Sequence, residues 1–277
     1  MKQGMLFVRM QIVDRAANAL FFANHFDQAI DYEKRAVATA SQEIGEENPA
    51  MYPYYMNLGN MYLNLNDANG AIEYYSKAMK ICEAEQNKKN LVYLYMNIGK
   101  LFRLLPDKRI EAAKYINKAL DMAYNDKDIP ADWRASMLET LATLHHYRGD
   151  DEKALACSRE AVRIYNAVYG PEHERTAVSY VNVASALMSL YRFKEAHDLL
   201  LAPAKQLEET VGLVHVHTAK VCYLLADICM HTANYKEAQE WCDKACVACF
   251  RISLPGDVGL NIYNLNEKLR EINGRTV

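Results

Sequence analysis

The sequence contains few of the residues that interrupt helices: of its 277 residues, 11 are glycine and seven are proline. Most of the prolines lie between, or at the starts of, stretches with apolar residues at i, i+3, i+4 and i+7, a pattern typical of helices joined by short turns. No stretch alternates apolar and polar residues for long enough to make a strand. The chain is therefore predicted to be all-α.

An excess of charge is also missing, because 32 Lys and Arg nearly balance 35 Asp and Glu. Such a chain lacks the uniform basic field that non-specific nucleic-acid binding requires. It has no run of about 18 apolar residues, and the stretch from Met1 to Phe22 does not follow a signal-peptide pattern. Seven cysteines, an odd number in a chain large enough to bury a core, indicate free thiols in a reducing compartment. We therefore expect a cytoplasmic protein with no nucleic-acid partner and no membrane association.

Sequence motifs of catalysis are absent too, since the chain has no phosphate-cradling glycine loop, no GxSxG elbow and no HExxH. Cys242, Cys246 and Cys249 follow one helical stripe, so metal binding there is geometrically possible. Other repeats carry apolar or small residues at these positions, and buried free cysteine behaves as a small apolar residue. The sequence therefore predicts no enzyme activity, no cofactor and no metal site.

An internal repeat organises most of the chain. Six similar segments can be superposed on one alanine each, at spacings of 42, 41, 42, 42 and 42 residues: Ala29, Ala71, Ala112, Ala154, Ala196 and Ala238. A small residue also occurs twelve or thirteen positions before each of these alanines: Ala17, Gly59, Gly99, Ala142, Ala184 and Ala226. Small residues at helical spacing let neighbouring helices approach closely. Each repeat is therefore predicted to be a pair of antiparallel helices.

The second repeat carries most of one known signature, in Leu58, Gly59, Tyr62, Ala71, Tyr75 and Ala78. From about Val8 to Phe250 the sequence resembles tetratricopeptide repeats, although its period exceeds their usual 34 residues by about two helical turns. The openings GEENPAMYPYYMNLG and YGPEHERTAVSYVNVA are similar to the long repeats of kinesin light chains and their bacterial relatives. The resemblance implies a right-handed superhelical solenoid of six helix-turn-helix repeats that acts as an interaction scaffold.

The repeats are predicted within a single domain over residues 1–277, at 8–45, 50–87, 89–128, 131–170, 172–212 and 215–252. A capping helix is predicted at 257–273, because apolar residues there share one face opposite a charged one. The apolar residues are Val258, Ile262, Leu265, Leu269 and Ile272.

Helix ends are predicted from four residues that lie sixteen positions after their repeat's alanine. Gly45, Gly170, Gly212 and Asn87 belong to the residue types that accept the left-handed conformation at the end of a helix. Pro203 instead lies inside a predicted helix, where it removes a hydrogen bond, and we expect a kink in the fifth pair.

Candidate binding residues come from the first helix of each pair, because first helices line the inner wall of a superhelix. They lie two residues before or one residue after the small residue, or one turn further on. The predicted peptide-binding set is Asn18, Asn57, Asn60, Asn97, Lys100, Arg103, Thr143, His146, Asn182, Ser185 and Asp227.

Asparagine both donates and accepts hydrogen bonds, so Asn57, Asn97 and Asn182 can bind the main chain of an extended peptide. The resemblance to kinesin light chains implies the same role. Lys100 and Arg103 add positive charge that can select an acidic or C-terminal carboxylate peptide. A structural alternative stays open, in which the asparagines cap turns or bond between adjacent helices.

The sequence thus predicts a non-enzymatic scaffold that binds a peptide segment of a protein partner in a concave groove. Two alternatives stay open: a regulatory sensor whose superhelix responds to a signalling peptide or small ligand, and the repeat module of a larger assembly. The sequence does not identify the partner, and it leaves a homo-oligomer open. Replacing Asn57 and Asn97 by alanine is expected to weaken binding and to leave helicity nearly unchanged.

Overall fold

A computed structural model of the chain describes residues 12–21, 23, 25–249, 251–252 and 258–275, without the side chains of 273 and 275. Within these ranges all the regular secondary structure is helical, which confirms the predicted all-α class. None of the helices in these ranges has the length and hydropathy that a membrane crossing needs. The start of the first predicted repeat, residues 8–11, and residue 257 of the predicted cap lie outside the described residues.

Thirteen helices are described among these residues, and α1 to α12 form six pairs that match the predicted repeats, except that α5 begins one residue before the third. They are α1 (12–21), α2 (Phe26–Ile44), α3 (Tyr52–Asn64), α4 (Ala68–Glu85), α5 (Lys88–Leu104), α6 (Arg109–Tyr124), α7 (Ala131–Tyr147), α8 (Asp151–Tyr169), α9 (Glu174–Ser189), α10 (Phe193–Thr210), α11 (Val216–His231), α12 (Tyr235–Cys249) and α13 (Val258–Arg275). Short 3₁₀ helices at Pro49–Met51 and Pro106–Lys108 precede α3 and α6.

The chain divides into two compact units, residues 1–130 with α1 to α6 and residues 131–277 with α7 to α13. In the first unit α2 to α6 pack in chain order, and the first helices α3 and α5 also contact each other. In the second unit α7 contacts α9, and α9 contacts α11. First helices of successive hairpins therefore lie side by side within each unit. The prediction of one continuous solenoid domain over 1–277 stays a prediction.

The two helices of a hairpin pack through a small residue and a larger one. A Cβ atom added to Gly59 would collide with the ring of Tyr75, and one added to Gly99 would collide with the side chain of Ile116. Tyr75 and Ile116 are each the fourth residue after their repeat's alanine, which we call the facing position. The facing positions are Glu33, Tyr75, Ile116, Ser158, Leu200 and Cys242, and all six are buried.

Three of the four predicted helix ends are confirmed, because Gly45, Gly170 and Gly212 have φ angles of 88°, 88° and 83°. The prediction for Asn87 was wrong. Gln86 takes the left-handed conformation instead, with φ 50°, and Asn87 caps the start of α5 by accepting a hydrogen bond from Asn90 N at 3.1 Å. Because α5 begins immediately after α4, the Asn87 side chain serves the following helix.

Two further features agree with the sequence pattern. Pro203 lies inside α10, which continues through it, while the kink expected there stays a prediction. The helix α13 packs against α12 and α11, and Ile262, Leu265 and Leu269 are buried in these contacts. Three of the five residues of the predicted apolar face are therefore buried, and Val258 and Ile272 are half-buried.

Candidate functional site

In the first unit, Asn57 joins two successive hairpins. Its Nδ2 donates a hydrogen bond to Oδ1 of Asp14 on α1, and Nδ2 of Asn18 donates to the same oxygen at 3.2 Å. The side chains of these two predicted site residues are therefore hydrogen-bonded within the protein, as the structural alternative expects.

The amides of Asn60 and Asn97 are also engaged. Asn60 accepts a hydrogen bond from the Tyr75 hydroxyl at 2.8 Å, and its Nδ2 lies 3.5 Å from the Tyr93 hydroxyl oxygen. Asn97 is buried, and its Nδ2 donates to the Tyr93 carbonyl oxygen at 3.0 Å. Burial removes Asn97 from the surface that a peptide can reach. Lys100, another predicted site residue on α5, is half-buried.

In the second unit, Asn182 repeats the arrangement of Asn57. Its Nδ2 donates to Oε1 of Glu139 at 3.1 Å, and both bonds join residues 43 positions apart. The other carboxylate oxygen of Glu139 accepts a hydrogen bond from the Tyr165 hydroxyl at 3.1 Å. An asparagine of one first helix thus binds an acidic residue of the preceding first helix in both units.

A pocket of about 240 Å³ brings four of the predicted site residues together. It lies between α7, α8 and α9, and we call it the Ser158 pocket. Its lining consists of Ala142, Thr143, His146, Ala154, Ser158, Asn182, Ser185 and Ala186. Arg103 lies on α5 of the other unit and Asp227 on α11, so neither belongs to this pocket.

The pocket exists because Ser158 occupies a facing position. Tyr75, Ile116 and Leu200 fill the equivalent space in other repeats, whereas here a serine faces the small Ala142. Two short side chains across a hairpin leave a hollow that a larger side chain would close. Ser158 was missed in the sequence analysis, although its size differs from that of the side chains at most other facing positions.

The Ser158 hydroxyl is a buried polar group in the lining of the pocket. Its side chain is buried, and Oγ has no hydrogen-bond partner among the described residues. Leaving a buried hydroxyl unpaired costs about 1–3 kcal/mol. A hydrogen-bonding group placed in the pocket would recover this energy, so the hollow favours a polar occupant.

His146 lies at the exposed side of the pocket, with half of its side-chain surface accessible. Its Nδ1 lies 2.7 Å from Asp151 Oδ1 and 3.4 Å from Ser189 Oγ. A neutral imidazole that donates from Nδ1 to this carboxylate presents Nε2 as an acceptor. Thr143 donates to the Glu139 carbonyl oxygen at 3.0 Å, which leaves the lone pairs of its hydroxyl oxygen as acceptors.

The contacts of Asn57 and Asn97 change the expected result of replacing both by alanine. Loss of one inter-hairpin bond and one buried bond should lower the free energy of unfolding by about 2 kcal/mol. Urea unfolding measures this loss, and Ser185→Ala serves as a control on a first helix. A double variant as stable as the wild-type protein would contradict the structural role of these amides.

Comparisons with known proteins agree with this architecture. Sequence profiles of the tetratricopeptide repeat match residues 133–201, and also 52–85 and 219–246. The Arabidopsis thaliana protein kinesin light chain-related 3 is 23% identical over 230 residues, which cover 79% of this chain and 34% of that relative. The chain thus spans about a third of the length of this relative.

Two solved structures share the fold. A signal-transduction ATPase with a tetratricopeptide repeat sensor from Pyrococcus horikoshii aligns with a TM-score of 0.71 and 16% identity, over 95% of this chain and 38% of that one. NprR in complex with its cognate peptide aligns with a TM-score of 0.65 and 14% identity, over 95% and 73%. The helix pairs and the matched repeat profiles show that the chain contains tetratricopeptide repeats, and its long repeats resemble those of kinesin light chains.

Proposed function

We propose that this protein is an interaction scaffold that binds an extended peptide segment of a partner protein and anchors it in the Ser158 pocket. One observation carries the proposal: four side chains predicted to bind a peptide line a single pocket, together with a buried and unpaired hydroxyl. The NprR structure, a similar fold with a bound peptide, supports the same kind of role.

The lining of the pocket indicates which side chain fits it. Ala142, Ala154 and Ala186 supply apolar walls, while Ser158 and Ser185 supply hydroxyls that both donate and accept. The pocket lining contains no lysine, arginine or carboxylate, so a charged group would lose its hydration without gaining a partner of opposite charge. The occupant that fits is a short, polar and uncharged side chain, such as that of asparagine, glutamine or threonine.

The groups around the pocket can bind the main chain on either side of such an anchor. His146 Nε2 and the Thr143 hydroxyl oxygen accept hydrogen bonds from peptide N–H groups. Main-chain bonds contribute affinity, and the pocket contributes specificity for one position of the peptide. The protein then recognises a segment by one side chain and tolerates variation elsewhere.

Ser158→Leu is expected to close the pocket and to raise stability at the same time. The fifth repeat already pairs Ala184 with Leu200, so a leucine facing Ala142 reproduces a packing that this chain uses. Burying the added methylenes and removing an unpaired hydroxyl should raise the free energy of unfolding by about 1–2 kcal/mol. Affinity for an anchored peptide should fall by about tenfold or more, measured by titration calorimetry.

Peptides for this test come from selection of a random peptide display library on the wild-type protein. We expect enrichment of one polar, uncharged side chain at a fixed position. Ser76→Leu adds the same side chain at an exposed serine of α4, outside the pocket, and should retain binding. Equal affinity of Ser158→Leu and wild-type protein for the selected peptides would show that the pocket is not the anchor.

A further inference from the structure

Three potential metal ligands from three helices converge in the second unit, away from the Ser158 pocket. They are His197 on α10, Cys229 on α11 and Glu237 on α12, and one ligand atom of each lies within 4.8 Å of the others. His197 Nε2 is 2.9 Å from Glu237 Oε1. The cluster therefore joins the fifth repeat to both helices of the sixth.

These ligand types fit Zn²⁺ best among the common protein metals. Zinc binds cysteine sulfur at about 2.3 Å, and histidine nitrogen and carboxylate oxygen at about 2.0–2.2 Å. Ligand atoms in such a tetrahedral site are roughly 3–4 Å apart, so the three atoms need to move by about 1 Å or less. A thiolate and a carboxylate also balance the double charge of the ion, and the thiolate disfavours Mg²⁺ and Ca²⁺.

Neighbouring groups already orient two of the three ligands. His197 Nδ1 lies 3.5 Å from Asp198 Oδ1, and a carboxylate behind the ring is the usual partner of a metal-binding histidine. Asn234 Nδ2 donates to Glu237 Oε2 at 2.6 Å, and Trp241 Nε1 donates to Glu237 Oε1 at 3.3 Å. Such outer contacts hold ligands in place before an ion arrives.

The cluster is exposed on one side, which leaves room for a fourth ligand. Cys229 is buried, whereas the His197 and Glu237 side chains are 21% and 30% exposed. An ion held from the buried side by sulfur can therefore take a water molecule, or a ligand from a partner, on its solvent side. The cysteine stripe considered in the sequence analysis is different, because Cys242 is buried beneath α13.

We propose that His197, Cys229 and Glu237 form a Zn²⁺ site that links the last two repeats. The sequence predicts no metal site, because other repeats carry apolar or small residues at the positions of the cysteine stripe, and His197, Cys229 and Glu237 form no known motif. The site is independent of peptide binding at the Ser158 pocket. Its effect is to cross-link α10, α11 and α12.

Titration of the reduced protein, residues 1–277, with Co²⁺ as the probe tests this proposal. Bound Co²⁺ should give a thiolate-to-metal charge-transfer band in the near ultraviolet that saturates at equimolar metal, and Zn²⁺ should displace it. Cys229→Ser should abolish the band, and His197→Gln and Glu237→Gln should each weaken Co²⁺ affinity by on the order of a hundredfold. Cys157→Ser, a control in the same unit with a partly accessible thiol, should leave the titration unchanged.

Circular dichroism identifies any variant that fails to fold. If Cys229→Ser is such a variant, the two glutamine variants still test the proposal. No charge-transfer band with the wild-type protein would overturn the proposal. A charge-transfer band that persists in folded Cys229→Ser would place the metal elsewhere and overturn the proposal. A Co²⁺ affinity that is unchanged in both glutamine variants would do the same.

Discussion

Replacing Glu33 by glutamine is expected to raise the free energy of unfolding near pH 8 by about 4 kcal/mol. Glu33 occupies the facing position of the first repeat and is fully buried. Neither of its carboxylate oxygens has a hydrogen-bond partner among the described residues. Burial, and secondly the negative charge of Asp14, raise the pKa of Glu33 from 4.5 to about 8.

The raised pKa of Glu33 sets the direction of the pH dependence. Between pH 4.5 and about 8 the unfolded chain has released this proton while the folded protein still holds it. The folded state therefore binds more protons, so stability falls as pH rises through this window and falls no further above it. Glutamine resembles the protonated acid in shape and carries no titratable proton, so the variant should lose most of this dependence.

Urea unfolding of both proteins across the same pH window measures the effect. Glu43→Gln is the matched control, because Glu43 is exposed on the same helix. The control should follow the wild-type pH profile. A wild-type stability that stays constant through the window would contradict the buried, protonated state of Glu33.

Gly59→Ala is expected to lower the free energy of unfolding by about 2 kcal/mol. The added methyl group would collide with the ring of Tyr75, whose side chain is 1% exposed. The ring cannot move away without breaking the hydrogen bond from its hydroxyl to Asn60. Alanine is the better helix former by about 1 kcal/mol, so the steric loss must exceed that gain.

A second substitution makes this test specific. Gly59→Ala combined with Tyr75→Leu copies the alanine and leucine pair of the fifth repeat, and should recover stability relative to the sum of the single variants. Gly274→Ala is the control, because open space surrounds a Cβ atom at that position. A Gly59→Ala variant as stable as this control would show that the close approach of α3 and α4 is not required.

Helix boundaries could be predicted where a backbone conformation limits the choice of residue. Gly45, Gly170 and Gly212 were recognised because a positive φ favours glycine. The prediction failed at Asn87, because asparagine suits a left-handed helix end and also the start of a helix. The distance to the next helix decides between the two, and this distance depends on the packing of α4 against α5.

The candidate binding residues were only partly predictable. The position of a residue on its helix selected Thr143, His146, Asn182 and Ser185, which the structure brings together around one pocket, while their binding of a peptide stays a prediction. Position did not show that Asn57 and Asn182 bind acidic residues of the preceding repeat, or that Asn97 is buried. These outcomes depend on side chains of other repeats, because a hydrogen bond needs both partners within about 3.5 Å.

The helix pairs and their phase could be read from the order of the amino acids, because close helix packing requires small residues at a constant spacing and such residues are visible along the chain. The positions of the hollow, the buried carboxylate and the proposed metal ligands could not be read in this way. Ser158, Glu33 and Cys229 each owe their environment to side chains on neighbouring helices. The space and the charge around a buried group are set by all the helices that meet there, and the local sequence describes only one of them.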